Sequence, residues 1–531
     1  MLKTVPAPTG ARLGDRYKAF VREVGQTTWQ ELSVYLALCP DGTTNYHEMP
    51  PQVAAEFNGF SHCSMAKQTF FASFTANVPV EVRVVFNGTV QSARLKPLHL
   101  NLVPQVQGNT LYFAAKPGQK LSLELNGDLF GELTIFANQP AECEPPFANQ
   151  IYFKPGYYTH QNCEYITLDE HGTPVLQGVR DNTLIYLEDG AVVNAAVVLS
   201  GNQNVKIAGC GVFSLIERCY GAEFNFTDKP LYAGFRYWAL PMVYIKSGCK
   251  NITVQGVSLV GEFRGVTVRN SAHIHLNGVK CFTAAVNGDG LNCVNTCHVL
   301  MENCYFRNGD DNVCMYTGYD SIPTLNDLGY PPAPPVSENY EVRNCVFWTN
   351  CRPFQIAGHG TGSTSPHNRV ANINIHHNTV NDVAFKIFGN SEQHNAYWSG
   401  ILRSLSQSEV EVFNIRFEHI HINWTPGYTG KPIHLEVRDA ASASYSEGRG
   451  FAIHDVLFKD IYFENCPEHT MPSYLLVQNK EALPQGYGIF NVKFQGVYLN
   501  QKPLTANNLL CQGGVEYKIL ETGGEPPKFL G

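Results

Sequence analysis

Two short acidic motifs contain the residues of this sequence whose types and spacing could carry chemistry. They are Asn-Gly-Asp-Gly at 287–290 and Gly-Asp-Asp-Asn at 309–312, which place Asp289 21 and 22 residues before Asp310 and Asp311. If this interval is one coil of a β-solenoid, the carboxyl groups stack about 4.8 Å apart. Like charges at this distance raise at least one pKa, so one group can stay protonated while another stays ionised. Hydrolysis of a glycosidic bond requires such an acid and base.

The same motifs have two other interpretations. Gly-Asp pairs are common in turns, and clustered carboxylates with carbonyl oxygens suit Ca²⁺. Two motifs one coil apart favour a catalytic site over both alternatives, so we expect no metal and no other cofactor. Gly288, Gly290 and Gly309 are expected to let the backbone turn sharply and a sugar approach closely.

A repeat that could position these carboxylates runs through the chain from about residue 150 onward. Short segments share a template of apolar, any, apolar, any, then Gly, Asn, Asp or His, and the first two spacings are 22 and 25 residues. The copies are ITVQG (252–256), IHLNG (274–278), VLMEN (299–303), YEVRN (340–344), IRFEH (415–419), VLFKD (456–460) and VKFQG (492–496). A repeat of roughly 20–30 residues made of short strands is typical of a solenoid, and no helical segments separate the strands.

These strands run in the same sense with few hairpin signals between them, which argues against an antiparallel β-sandwich. We therefore predict an all-β fold in which a right-handed parallel β-helix domain covers 149–531.

The first part of the chain has a different sequence pattern. Alternating strands such as VEVRVVF (80–86), LKPLHLNLV (95–103) and KLSLELNG (120–127) are separated by turn residues. This pattern predicts an antiparallel β-sandwich domain over 1–148, with a Pro-containing linker at 141–149.

The composition narrows the classes of partner. Charged residues make up 16% of the chain and the formal net charge is −8, which does not indicate binding to nucleic acid or to an anionic membrane. No apolar stretch approaches the roughly 18 residues of a membrane span. The N-terminus lacks the apolar run of a secretory signal, so we expect a cytoplasmic protein with reduced, buried cysteines. The oligomeric state stays open, a homo-oligomer included.

The stretch 287–316 resembles the core of the polygalacturonase-like clan of glycoside hydrolases, whose members carry a lone Asp on one coil and an Asp pair on the next. Within the clan it resembles family 49, the dextranase and isopullulanase family, more than family 28, the polygalacturonases. Three features carry this resemblance. They are Asn-Val-Cys-Met-Tyr after the Asp pair (312–316), CRPFQIAGHG one coil later (351–360), and a β-sandwich that precedes the β-helix.

The resemblance implies a mechanism and a substrate class. The clan inverts the anomeric carbon, which implies Asp310 as general acid and Asp289 and Asp311 as the groups that activate water. Family 28 has an Arg-Ile-Lys that holds a uronate, whereas the nearest segment here is Ala-Phe-Lys-Ile at 384–387. Arg352 falls where the family 28 His would be. The resemblance thus implies α-glycosidic bonds of a neutral glucan or oligosaccharide, not polygalacturonic acid.

Residues near the acidic motifs and on the coils after them are expected to bind the sugar through polar groups or by stacking of aromatic rings. The predicted substrate-binding residues are Arg352, Gln355, His359, Lys386, Tyr316 and Trp398. Ordinary surface or core roles are the alternative for each of them.

Two other functional classes are compatible with a β-helix fold. A polysaccharide lyase or a glycan transferase is one, although a lyase needs a basic residue near a neutralised uronate, usually with Ca²⁺ or Arg. A non-catalytic carbohydrate-binding β-helix is the other, but it would not need three crowded carboxylates. The acidic trio therefore favours the hydrolase.

Overall fold

The computed structural model describes most of the chain, and β-strands dominate it. The described residues are 1–40, 66–140, 147–170, 172–216, 240–261, 263–284, 288–318, 336–359, 368–384, 400–406, 410–426, 428, 430–438, 450–468, 470–478 and 486–520. Helix is limited here to two short 3₁₀ turns, at Leu98–Leu100 and Ala506–Asn508. Among the described residues, no helix has the length and apolar character needed to cross a membrane.

Two sheets built mainly from antiparallel strands form the N-terminal part. The strands are Leu2–Lys3 (β1), Tyr17–Glu23 (β2), Gln30–Leu32 (β3), Tyr35–Pro40 (β4), Ala66–Ala76 (β5), Val80–Phe86 (β6), Ala93–Lys96 (β7), Gln105–Gln107 (β8), Thr110–Ala115 (β9), Lys120–Leu125 (β10) and Leu133–Asn138 (β11). One sheet has the order β1-β5-β11-β10-β7, with β4 also on β5, and the other has the order β3-β2-β6-β9-β8. Alternate residues of β6 are buried in a core shared by the two sheets, which is the arrangement of a β-sandwich.

The segment predicted as a strand at 95–103 is a strand only at its start. Strand β7 ends at Lys96, and a 3₁₀ turn follows Pro97. The strand prediction was wrong beyond Lys96 because proline has no N–H group to donate to a neighbouring strand.

The rest of the chain forms stacked coils. Its strands are Asn149–Phe153 (β12), Gly156–Tyr158 (β13), Ile166–Leu168 (β14), Pro174–Leu176 (β15), Thr183–Leu187 (β16), Ala191–Val193 (β17), Ala196–Ser200 (β18), Gln203–Gly209 (β19), Val212–Ser214 (β20), Val243–Lys246 (β21), Lys250–Gln255 (β22), Ser258–Gly261 (β23), Val266–Arg269 (β24), Ala272–Asn277 (β25), Lys280–Thr283 (β26), Leu291–Val294 (β27), Cys297–Glu302 (β28), Tyr305–Asn308 (β29), Val313–Gly318 (β30), Val336–Arg343 (β31), Val346–Thr349 (β32), Phe354–His359 (β33), Arg369–His376 (β34), Thr379–Val383 (β35), Leu402–Ser406 (β36), Glu411–Asn423 (β37), Ile433–Val437 (β38), Ala452–Glu464 (β39), Ser473–Val477 (β40), Gly488–Leu499 (β41), Lys502–Pro503 (β42), Leu509–Gln512 (β43) and Val515–Leu520 (β44).

Parallel pairing joins equivalent strands of successive coils. One sheet of 21 strands starts at β12, and a second sheet of 12 strands contains β24, β27, β30 and β33. This arrangement confirms the predicted all-β fold with a parallel β-helix. The exact division at 148 and 149 stays a prediction.

The fifth residue of the repeat template explains why its type is restricted. Gly256, Asn303 and Asp460 have φ angles of 77°, 55° and 53°, in the left-handed region. Gly, Asn and Asp adopt this conformation more readily than other residues. The template therefore marks the corner at which each coil changes direction, while its apolar residues stack in register, as Ile252, Ile274 and Val299 do.

The sandwich packs against the β-helix through rings and buried charges. Ring centroids of Phe71 and Phe282 are 5.0 Å apart, and those of Phe136 and Tyr305 are 5.1 Å apart. On the same interface, buried Arg307 of β29 pairs with Glu132 of the sandwich. Since β29 leads directly into the Gly-Asp-Asp motif, the sandwich packs on the strand that delivers the Asp pair.

Candidate active site

Asp289 and Asp311 occupy equivalent positions on consecutive coils. Each lies two residues before a strand of the 12-stranded sheet, and those strands pair with Leu291 opposite Val313. The Gly290 N–H donates to the Asp311 carbonyl oxygen at 2.9 Å, which extends the pairing to the motifs themselves. Carboxylate oxygens of Asp289 and Asp311 lie within 4.8 Å of each other, as do those of Asp310 and Asp311. The structure therefore brings the predicted trio together.

Arginines occupy the same position on the coils before and after. Val266 pairs with Leu291, and Val313 pairs with Phe354, so Arg264 and Arg352 flank the two aspartates. Arg264 Nε lies 2.9 Å from Asp289 Oδ2. Arg352 Nε donates to Asp311 Oδ1 at 2.7 Å. We call Arg264, Asp289, Asp311 and Arg352 the Arg–Asp–Asp–Arg row.

Asp289 is buried and has a strengthened affinity for protons. Only 5% of its surface is exposed, and Asn292 Nδ2 donates to its Oδ2 at 2.8 Å. Burial raises the pKa of the Asp289 carboxyl, Arg264 opposes this effect, and the negative charge of Asp311 adds to it. The raised pKa predicted from crowding is therefore present, but loss of solvent is its first cause.

Asp311 is surrounded by buried donors. Besides Arg352, the Tyr316 hydroxyl lies 3.5 Å and the Cys314 thiol 3.8 Å from Asp311 Oδ2. Burial raises the pKa of both Cys314 and Tyr316 well above their ordinary values, so both groups keep their protons. Opposite effects act on the Arg352 pKa, which burial lowers and Asp311 raises, and the net shift is upward. Asp311 thus lies beside a permanent cation.

Asp310 is less buried than its two neighbours. Its Oδ1 accepts the backbone N–H of Asp311 at 2.9 Å, and its carbonyl oxygen accepts the Thr349 hydroxyl at 2.7 Å. Asn312 fixes the other side of this turn, because its Nδ2 donates to Asn308 Oδ1 at 2.7 Å and to the Trp348 carbonyl at 2.9 Å. The turn that carries Asp310 is therefore held from both sides.

Gly290 is needed for packing between coils of the protein. A side-chain carbon at this position would collide with Phe306, Asn308 and the backbone of Asn312. Its φ is not among the positive values of the described residues. The glycine is therefore required by a close approach between coils.

The predicted substrate-binding residues fall into two groups. Arg352 and Tyr316 are buried beside Asp311, and buried Gln355 accepts a hydrogen bond from Arg403 at 3.3 Å. The others lie outside the described residues, wholly or by their side chains: Lys386, Trp398 and the side chain of His359. Sugar binding by all six stays a prediction.

The described residues contain two groups with the spacing of metal ligands. One is Asp289, Asp311 and Cys314, and the other is Asp310, Asp311 and Cys351. Each includes a thiol, whereas Ca²⁺ prefers oxygen ligands, and two of the carboxylates already face arginines. These donors therefore fit Ca²⁺ poorly.

Arg264 is a residue of the site that the sequence patterns did not single out. The available signal was alignment of the residues that precede each strand: Arg-Gly-Val, Asp-Gly-Leu, Asp-Asn-Val and Arg-Pro-Phe at 264, 289, 311 and 352. The sequence patterns also did not single out a group of buried charged residues on later coils of the same sheet. Buried Glu436 lies 3.2 Å from His434 and 3.0 Å from Arg438. Burial by itself raises the pKa of Glu436, but these two neighbours outweigh it and lower the pKa to about 2.

No family model and no curated protein matches the chain. Among solved structures, Dex49A from Penicillium minioluteum is similar with a TM-score of 0.57 and 13% identity, over 98% of this chain and 96% of that one. A family 28 exopolygalacturonase from Yersinia enterocolitica has a TM-score of 0.43 and 10% identity, over 83% and 96%. An endo-xylogalacturonan hydrolase from Aspergillus tubingensis has a TM-score of 0.40 and 13% identity, over 72% and 90%. The predicted resemblance is thus confirmed at the level of the fold, which this chain shares with Dex49A over nearly its whole length.

Proposed function

We propose that the protein is a glycoside hydrolase that cleaves α-glycosidic bonds of a neutral glucan or oligosaccharide with inversion of the anomeric carbon. Asp310 is the general acid, and the Asp289–Asp311 pair activates the attacking water. The observation that carries this proposal is the meeting of three aspartates from two adjacent coils, two of them buried and one less buried.

The environments of the three groups support a division of labour. Asp310 is the most accessible of them, which suits a group that must reach the glycosidic oxygen. Asp289 and Asp311 each face an arginine, and the charge of Arg264 opposes the effect of burial on the pKa of Asp289. Glycoside hydrolysis requires one protonated and one ionised carboxyl group at the same bond.

The reaction then follows from these roles. Asp310 gives its proton to the glycosidic oxygen as the bond from the anomeric carbon to that oxygen breaks. A water molecule attacks the opposite face of the same carbon, and an aspartate of the buried pair takes the proton of that water. The sugar is released with inverted configuration, and Asp310 regains a proton from solvent.

Two observations bear on the substrate. The chain has no Arg-Ile-Lys segment of the kind that holds a uronate in family 28, which supports a neutral sugar. The resemblance of 287–316 to family 49 supports a dextranase-like or isopullulanase-like linkage.

The test is product release by the wild type and by Asp310→Asn across a panel of neutral and acidic oligosaccharides. Proton NMR of the fresh products gives their anomeric configuration. We expect the wild type alone to release an inverted sugar from a neutral member of the panel. An unsaturated product would indicate a lyase, transfer to an added acceptor sugar would indicate a transferase, and binding without turnover would indicate a carbohydrate-binding protein.

A further inference from the structure

The two aspartates of the buried pair are equivalent in register but differ in how their oxygens are occupied. At Asp311, Oδ1 accepts from Arg352 at 2.7 Å, and Oδ2 faces the Tyr316 hydroxyl at 3.5 Å and the Cys314 thiol at 3.8 Å. Every one of these donors is buried and keeps its proton. Both oxygens of Asp311 therefore face protein donors, which compete with a water molecule for the same lone pairs.

Asp289 has the opposite arrangement. Its contacts with Arg264, at 2.9 Å, and with Asn292, at 2.8 Å, both involve Oδ2. No described residue donates a hydrogen bond to its Oδ1. One oxygen is thus used to orient the carboxylate, and the other has lone pairs for a water molecule.

We infer that Asp289 is the catalytic base, that Arg264 is its positioning residue, and that Asp311 is a fixed neighbour that does not take the proton. In the reaction, the water oxygen bonds to the anomeric carbon and the water proton passes to Asp289 Oδ1, while the proton of Asp310 leaves with the departing sugar. The burial-raised pKa of Asp289 is in the direction that improves a base. This assignment rests on the proposed function.

The first experiment needs no substrate and separates the two carboxyl groups. Infrared spectra of the full chain are recorded against pH for the wild type, Asp289→Asn and Asp311→Asn, and the C=O band of a buried protonated carboxyl is followed. We expect the band of Asp289 to be lost in Asp289→Asn and kept in Asp311→Asn, with its midpoint at lower pH because a neighbouring negative charge is gone. Asp382 contributes equally to both variants and cancels in their difference. A band lost only in Asp311→Asn would overturn the assignment.

The second experiment uses the oligosaccharide that the wild type cleaves. Asp289→Ala should lower kcat by about 10²–10⁴-fold, the usual contribution of a general base. Azide, which needs no base, should restore turnover in Asp289→Ala and yield a glycosyl azide of inverted configuration. Asp311→Ala should show no such rescue. Rescue of Asp311→Ala alone would overturn the assignment, whereas a wild type that cleaves nothing would count against the proposed function itself.

Arg264 is tested through the pH profile, because loss of a merely structural contact would not move it. In the described part of the chain, the charged and titratable groups that face Asp289 are Arg264 on the preceding coil, Asp311, Cys314 and Tyr316 on the following coil, and Arg352 one coil further. Removing the positive charge in Arg264→Gln raises the pKa of Asp289, so the acidic limb of kcat/KM should move to higher pH. Arg264→Lys should retain most of the wild-type profile. Arg343→Gln, which removes a partly exposed arginine paired with Glu302, is the control and should leave the limb in place. An unmoved limb in Arg264→Gln would contradict the positioning role.

Discussion

Lys96 of the β-sandwich and Asp382 of the β-helix form a buried ion pair between residues 286 positions apart in the sequence. Lys96 Nζ also lies 2.7 Å from Glu124 and 2.8 Å from Glu132, and Glu132 in turn pairs with Arg307. Three carboxylates therefore share two cations at a buried site. This cluster joins the sandwich to the strand that precedes Asp310, so it links the N-terminal sheets to the candidate active site.

Lys96→Ala should destabilise the protein strongly, because it removes the cation shared by three buried carboxylates and leaves only Glu132 paired with an arginine. Removing one partner of a buried ion pair generally costs about 3–5 kcal/mol. Urea unfolding followed by circular dichroism measures the change in the free energy of unfolding. Lys3→Ala, which removes an exposed lysine 3.5 Å from Asp189, is the control and should have little effect. Equal midpoints for the two variants would show that the cluster contributes little.

The stability should also depend on pH through Asp382. Burial raises the pKa of this carboxyl to about 7 from 3.8, against the opposing effect of Lys96. Because the folded state binds the proton more tightly than the unfolded state, this contribution to stability is complete below about pH 4 and is lost as the pH rises through about 7. The free energy of unfolding of the wild type minus that of Asp382→Asn should therefore fall between these pH values. A difference that is constant or rises across this range would contradict the shift.

Gly290→Ala should damage the site without removing any polar group. The added methyl group collides with Phe306 and Asn308, and overpacking of this kind costs about 1–3 kcal/mol. Because Gly290 follows Asp289 directly, we also expect loss of activity. Gly156→Ala is a matched control in the same β-helix, since its methyl group would meet only Tyr158 at an ordinary 3.4 Å. Thermal unfolding and turnover are the measurements, and unchanged values in Gly290→Ala would contradict the packing.

Asn312→Ala should loosen the turn of the Asp pair. It leaves the buried oxygens of Asn308 and Trp348 without their donor, which costs about 1–3 kcal/mol. Denaturant unfolding checks the stability, and hydrogen exchange of the backbone checks whether the turn opens. Asn149→Ala removes an exposed bond to the Asp181 carbonyl and is the control. The prediction fails if both variants lose the same small amount of stability.

Interactions within one coil could be predicted from the sequence. The template residues Gly256, Asn303 and Asp460 mark the corners because their types tolerate a positive φ, and this preference is local. The interval between Asp289 and the Asp pair matched one coil because no insertion separates the two motifs. In contrast, Arg352 follows Asp311 by 41 residues, and residues 319–335 between them lie outside the described part of the chain. Its position could be predicted only from a resemblance, and its ion pair with Asp311 could not be predicted at all.

The sequence by itself determined the repeated coil, the order of sandwich and β-helix, and the meeting of Asp289 with Asp311, because alternation, corner residues and a constant interval are properties of neighbouring residues. Only the tertiary structure decided which charges face these carboxylates. Arg264 and Arg352 reach them because parallel pairing brings one position of four coils into a row. Lys96 reaches Asp382 because the sandwich packs on the side of the coils. Such contacts depend on strand register and on packing between residues far apart in the sequence. Because the coils differ in length, this register cannot be predicted from the sequence.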